Sequence, residues 1–229
     1  MREIVFDTET TGLDKKKDRV IEVGCVELVD LVPTGEKLHL YINPQYPVSK
    51  EAFAVHGLSN AFLRGKPIFS RVADSILDFF GDDRLVAHNA PFDIGFLNAE
   101  LGRLDIPPLR NEVVDTLALS KQLRPGARHT LDALCSAFNV DRSHRTLHGA
   151  LLDSELLAEV YVELCGGRQF HMGLQERPPE LKIERRDIRP RRKPLKSRLS
   201  DEELQAHLAF IDSLGDKAVW RQYRTPSIA

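Results

Sequence analysis

The sequence predicts an α/β fold: a mixed central β-sheet, laid down as an antiparallel meander followed by αβα units and flanked by helices. Three observations carry this. The early apolar segments are β-branched and read as strands. The later ones repeat at helical spacing. Between two of these helical stretches sits a short apolar run, Leu85-Val86-Ala87.

In order along the chain, residues 2–6 form a first short strand. Residues 19–29 (RVIEVGCVELV) are β-branched and largely apolar, as a strand covered on both faces requires. Pro33-Thr34-Gly35-Glu36 supplies a turn, after which residues 37–42 return antiparallel. A helix follows over residues 70–80, then the strand at 85–87. The next helix, over 92–104, has Phe92, Phe96, Leu97 and Leu101 at helical spacing. Two further helices fall at 130–138 and 150–165. The compact pattern stops at Gly166-Gly167. From about 175 the chain is rich in Pro and Arg/Lys and lacks apolar periodicity, the composition of a flexible linker. Ser200-Asp201-Glu202-Glu203 has the form of a capping box. It opens a short amphipathic helix with Leu204, Leu208, Ile211 and Leu214, too small to fold alone. The expected organisation is a domain over 1–168, a short peptide at 169–174, a basic linker at 175–199 and a C-terminal segment at 200–229.

Composition narrows the class of protein. With 229 residues, 42% hydrophobic and 29% charged, the chain is an ordinary globular one with room for a single well-formed core. No apolar run is long enough to span a membrane, and Arg2-Glu3-Ile4-Val5-Phe6 carries no signal-peptide pattern. Three separated cysteines form no CxxC pair, so neither a disulfide framework nor a zinc site is expected, and the cytoplasm is the default compartment. The net charge of −2 conceals an asymmetry. Between Lys182 and Arg198 nine basic residues face two acidic ones, leaving the remainder of the chain acidic.

The chemistry resides in three short motifs. Asp7 and Glu9 lie in FDTETTG, Asp93 in HNAPFD, and His148 with Asp153 in HGALLD. Asp7 and Glu9 are two apart on a strand and share a face, an arrangement that repels unless a cation lies between them. Thr10, Thr11 and Gly12 then form a tight turn where a nucleotide could approach the backbone. Asn89 stands at a helix N-cap with Pro91 in the first turn, so Asp93 projects from that turn. Taken alone, an acid there is favourable without any catalysis. His88 and Asn89 fit ligand orientation and strand-end packing equally well. If Ala150 opens the last helix, Asp153 projects from its first turn while His148 stays on the preceding loop, a place suited to a general base. His39, His129, His144, His171 and His207 lack comparable acidic company in the sequence. Four carboxylates from separate segments beside one histidine suit two hard divalent cations held over a phosphodiester.

In this order and setting, the motifs resemble those of the DEDDh 3′–5′ exonucleases, the DnaQ-like group of the ribonuclease H-like superfamily. The resemblance runs from about residue 2 to residue 165, and the His148-x4-Asp153 spacing selects the histidine subgroup over the tyrosine one. It implies a ribonuclease H-like sheet and two Mg²⁺ or Mn²⁺ ions organised by Asp7, Glu9, Asp93 and Asp153. His148 would act as the general base, and 5′-mononucleotides would be released from a 3′ end. The segment EAFAVHGL resembles the part of the family that meets the terminal nucleotide. It adds Glu51 and His56 to Asp7, Glu9 and Asp153 as substrate contacts.

Within that group the chain resembles the proofreading subunits of bacterial DNA polymerase III. That resemblance implies a single-stranded 3′ end of DNA as substrate, with the polymerase α subunit and the β sliding clamp as partners. Gln169, Met172 and Leu174 resemble a clamp-docking peptide, although Leu174 stands where an aromatic is common. The terminal stretch, with Leu208, Phe210, Ile211, Trp220 and Tyr223, resembles the polymerase-binding segment. The basic linker reads as a tether, or as a strip that brushes the DNA backbone. Two other readings remain at this point: an exoribonuclease of the same fold, and a polymerase–clamp bridge without catalysis.

Overall fold

The computed structural model of the protein describes residues 1–143, 147–166, 199–215 and 219–220. The chain divides into two compact units, Met1–Met172 and Gly173–Ala229. Gln169, Met172, Leu174, Tyr223 and nearly all of the basic linker lie outside the described residues.

The first unit opens with three strands, β1 (Arg2–Thr10), β2 (Val20–Val29) and β3 (Val32–Tyr41). Two short helices, α1 (Lys50–His56) and α2 (Asn60–Leu63), follow, and after a single 3₁₀ turn comes α3 (Ala73–Phe80). The alternating half is β4 (Arg84–Ala87), α4 (Ala90–Gly102), β5 (Val113–Asp115) and α5 (Thr116–Leu123). Helices α6 (Leu131–Phe138) and α7 (Ala150–Leu164) complete it. The sheet order is β3-β2-β1-β4-β5, with β1 antiparallel to β2 and parallel to β4. The expected mixed sheet is therefore present, an antiparallel meander joined to parallel strands.

Both faces of the sheet are covered. Ile4 and Phe6 of β1 pack with Phe80, Phe96 and Leu97 on one side. Val5 and Val26 pack with Leu157 and Tyr161 of α7 on the other, and α6 packs against α7 through Leu134 and Cys135. Strands β1 and β4 are the central parallel pair, so their carboxyl ends open on the same edge, where ligands of open α/β sheets bind.

Several boundaries differ from the sequence expectation. The first strand runs on to Thr10 and so carries the whole acidic pair. The β2–β3 reversal falls at Asp30 and Leu31, both with positive φ (50° and 65°), and not at Pro33-Thr34-Gly35-Glu36. Thr34, Gly35 and Glu36 instead make a bulge inside β3: Leu28 pairs with Pro33 and Val26 with Lys37. Asn89 occupies the cap position of α4, but in a left-handed conformation and without capping through its side chain. Its N–H donates to Asp115 Oδ1 at 2.9 Å. Elements α1, α2, β5 and α5 are not marked by the sequence patterns.

In the second unit, α8 (Asp201–Ser213) has the expected capping box, Ser200 and Glu203 exchanging side-chain and backbone hydrogen bonds. Ile211 is buried and Leu208 half-buried within the chain itself. The exposed apolar surface among the described residues of this segment therefore rests on Leu204, Phe210, Leu214, Val219 and Trp220. No helix among the described residues is long and apolar enough to cross a membrane.

Candidate active site

Asp7 and Glu9 project from the carboxyl end of β1, and the strand alternation sends Thr8, between them, to the opposite face. Thr8 fixes Asp93: its N–H and its hydroxyl both donate to Asp93 Oδ1, at 3.1 and 2.7 Å. Asp93 belongs to the first turn of α4, which is separated from the end of β4 by two residues, so the parallel pairing of β1 and β4 brings it to Asp7.

The third motif arrives from the other face. At Gly24, opposite Asp7 in the β1–β2 ladder, the first turn of α7 comes so close that a Cβ would lie 2.2 Å from Leu151 N. Ser154 Oγ donates to the Gly24 carbonyl at 2.9 Å and pins the approach. Asp153, one residue earlier, is thereby held beside Asp7 and is almost fully buried.

His148 sits on the loop before α7, with its side chain about half exposed (48%). Its Nδ1 is 3.1 Å from Asp153 Oδ2, and its backbone N–H donates to the Val55 carbonyl at 3.2 Å. With Nδ1 protonated toward Asp153, Nε2 keeps a lone pair for a water proton. Ligand atoms of Glu9, His148 and Asp153 lie within 4.8 Å of one another, a group that could hold a metal ion.

The electrostatics fit cations. Burial pushes the Asp7 carboxyl well above the usual carboxylate range, and Asp93, Glu9, Asp153 and Glu22 push it further. Burial likewise raises Asp93 to about 7, against the hydrogen bonds from Thr8 that favour its charged form. So many acids in one partly buried place, all oxygen donors, are destabilising without a countercharge and match the preference of hard divalent ions.

Glu51 and His56, both on α1, line a cavity of about 550 Å³ together with Glu9, Thr10, Leu13 and Phe92. The Leu58 N–H donates to His56 Nδ1 at 2.9 Å, which puts the proton on Nε2. Burial, more than any other cause, lowers the His56 pKa, and the nearby His148 adds to the effect. All seven catalytic and nucleotide-contact residues read from the sequence therefore lie in one region of the first unit. Three participants went unread: Thr8, which holds Asp93; Glu22, a buried acid paired with His39 at 2.7 Å; and His129. His129 is a correction, because the structure gives it the company of Asp7, His148 and Asp153 around one cavity. No sequence signal marks it, since its loop meets the site only through the fold.

A ribonuclease H-like sheet with carboxylates gathered at the ends of its central strands defines a metal-binding nuclease. The family model described as Exonuclease matches residues 4–161, and the chain belongs to that family. Its relatives include the protein named DNA polymerase III subunit epsilon of Rickettsia prowazekii (strain Madrid E), 45% identical over 222 residues, covering 93% of this chain and 97% of that protein. The protein of the same name from Escherichia coli (strain K12) is 42% identical over 237 residues, covering 96% and 97%. Among solved structures, exonuclease X in complex with 5′ overhanging duplex DNA superposes with a TM-score of 0.59 at 26% identity, over 72% of this chain and 91% of that one. An E. coli exonuclease I–ssDNA complex gives 0.64 at 20% identity, over 73% and 41%, a likeness of fold alone.

Proposed function

We propose that the chain is the proofreading 3′–5′ exodeoxyribonuclease of a bacterial replicative DNA polymerase. It would act in the cytoplasm on a single-stranded 3′ end and release 5′-mononucleotides. The observation that carries this is the convergence of Asp7, Glu9, Asp93, Asp153 and His148, from three motifs, on one acidic point at the end of β1. Near full-length identity to proteins named DNA polymerase III subunit epsilon supports the replicase setting.

Asp7, Glu9, Asp93 and Asp153 would hold two Mg²⁺ or Mn²⁺ ions. Once bound, these supply positive charge against the reacting phosphate and acidify a water at neutral pH. The chain's own residues do the rest. His148 takes the proton from the attacking water at Nε2, while Asp153 orients the ring through Nδ1. Thr8 keeps the Asp93 carboxylate from turning away. Glu51 and His56 meet the terminal nucleotide in the cavity beside Glu9, which sets the scissile phosphate over the acids.

The flanking sequence then serves assembly. Residues 1–168 form the nuclease domain, and Gln169, Met172 and Leu174 within 169–174 dock on the β sliding clamp. The linker 175–199 tethers the segment 200–229, whose exposed Phe210 and Trp220 offer anchors to the polymerase α subunit.

The test is a substrate comparison with Mg²⁺ and the full chain. Single-stranded DNA should be shortened faster than RNA of matched sequence. Faster loss of RNA would make the protein an exoribonuclease instead.

A further inference from the structure

A second cavity, of about 420 Å³, adjoins the acidic point. Asp7, His148 and Asp153 line it together with His88 and His129. It shares no lining residue with the cavity that holds Glu51 and His56. Glu9 borders one cavity and Asp7 the other, so the acids separate them. A strand whose last nucleotide occupies the first cavity, with its scissile phosphate over the acids, has the second cavity in which to place the nucleotide before it.

His129 has no part in the chemistry derived above, yet its position is well fixed. His88, just past β4, bonds the Thr116 hydroxyl through Nδ1 at 2.9 Å and lies beside the His129 backbone. Thr130, the next residue, caps α6 by accepting from the Ala133 N–H. The imidazole thus held has a buried Nδ1 with no hydrogen-bond partner among the described residues. A buried polar atom is costly to leave unmet, and the residue that carries it lines the second cavity, where a small shift of the ring would bring it to a ligand. The loop around it is basic: Arg128 is exposed, and Arg124 is steadied against the Phe138 ring at 5.1 Å. Phosphate oxygens are the group that a histidine donor set in a basic loop recognises.

We propose that His129 is a substrate-binding residue, donating a hydrogen bond to a phosphate oxygen of the penultimate nucleotide, on the strand that remains after cleavage. This rests on the exonuclease reading above. It assigns the second cavity to the retained strand and leaves the first to the nucleotide that departs.

Two substrates separate this contact from the chemistry. A single-stranded oligodeoxynucleotide carries the upstream phosphate; thymidine 5′-p-nitrophenyl phosphate carries the scissile ester without it. In the full chain, His129→Ala should raise KM for the oligonucleotide about tenfold more than for the ester, the loss of one hydrogen bond to a charged group. His129→Asn, which keeps a donor, should recover most of that difference. A neutral methylphosphonate at the penultimate linkage should weaken the wild type but add nothing to His129→Ala. Equal losses on both substrates, or an unchanged KM for the oligonucleotide, would overturn the assignment. A wild-type chain that cleaved neither substrate would overturn the exonuclease reading along with it.

Discussion

Asp7 concentrates the electrostatic strain of the molecule, being half-buried and surrounded by four other acids. Asp7→Ala should lower cleavage at least roughly a thousandfold, about 4 kcal/mol of transition-state stabilisation, with the fold retained by circular dichroism. Asp7→Asn should lose activity in the same way yet melt at a higher temperature than the wild type when both are metal-free. The sign follows from linkage. A carboxyl whose folded pKa is raised adds stability below its unfolded value and loses it as pH rises through the folded one. The advantage of Asn should therefore vanish near pH 4 and grow toward neutrality, and scanning calorimetry across that range checks it. Thr8→Val, which removes the 2.7 Å bond to Asp93, should cost about tenfold in kcat. Asp7, Glu9, Asp93, His148 and Asp153 were legible because each sits in a short motif with a chemical logic. Thr8 and His129 were not, because their roles come from contacts across many residues of chain that no local pattern records.

At the level of elements, one close approach decides the geometry. Helix α7 reaches Asp7 only because β2 has no side chain at position 24. Gly24→Ala would force the first turn of α7, and Asp153 with it, away from the sheet. A displacement near 1 Å is enough to cost about a hundredfold in rate, and overpacking costs about 1–3 kcal/mol of stability. We expect both losses, measured by steady-state cleavage and denaturant unfolding, and the kinetic one should persist at saturating Mg²⁺. The longer elements were readable because their apolar periodicity is strong. Strand β5 has three residues and α1 seven, too few for periodicity to show. The β2–β3 reversal misled for another reason: Leu31 takes a left-handed conformation that side chains of its type rarely adopt, while the turn-like Pro33-Thr34-Gly35-Glu36 serves a bulge.

Taken whole, the chain joins an acidic nuclease region to a basic stretch and a capped helix, a contrast of charge visible in its composition. A chain ending at residue 175 should cleave free oligonucleotides at the full-length rate but lose binding to the polymerase α subunit. Surface plasmon resonance with both chain lengths checks this, and equal binding would move the partner surface into the first unit. The mixed sheet was predictable at this scale because β-branched runs and helical repeats fall in separate stretches. The pairing of β1 with β4 was not, since strand order leaves no periodic trace. The account as a whole stands on His148 and the four acids working as one site. Its most direct test is the cleavage of a 5′-labelled single-stranded DNA in Mg²⁺ by wild type and His148→Ala. The account predicts a ladder shortening from the 3′ end with the wild type and a loss of at least about a hundredfold in the variant. Undiminished cleavage by His148→Ala, or no cleavage by the wild type, would contradict it.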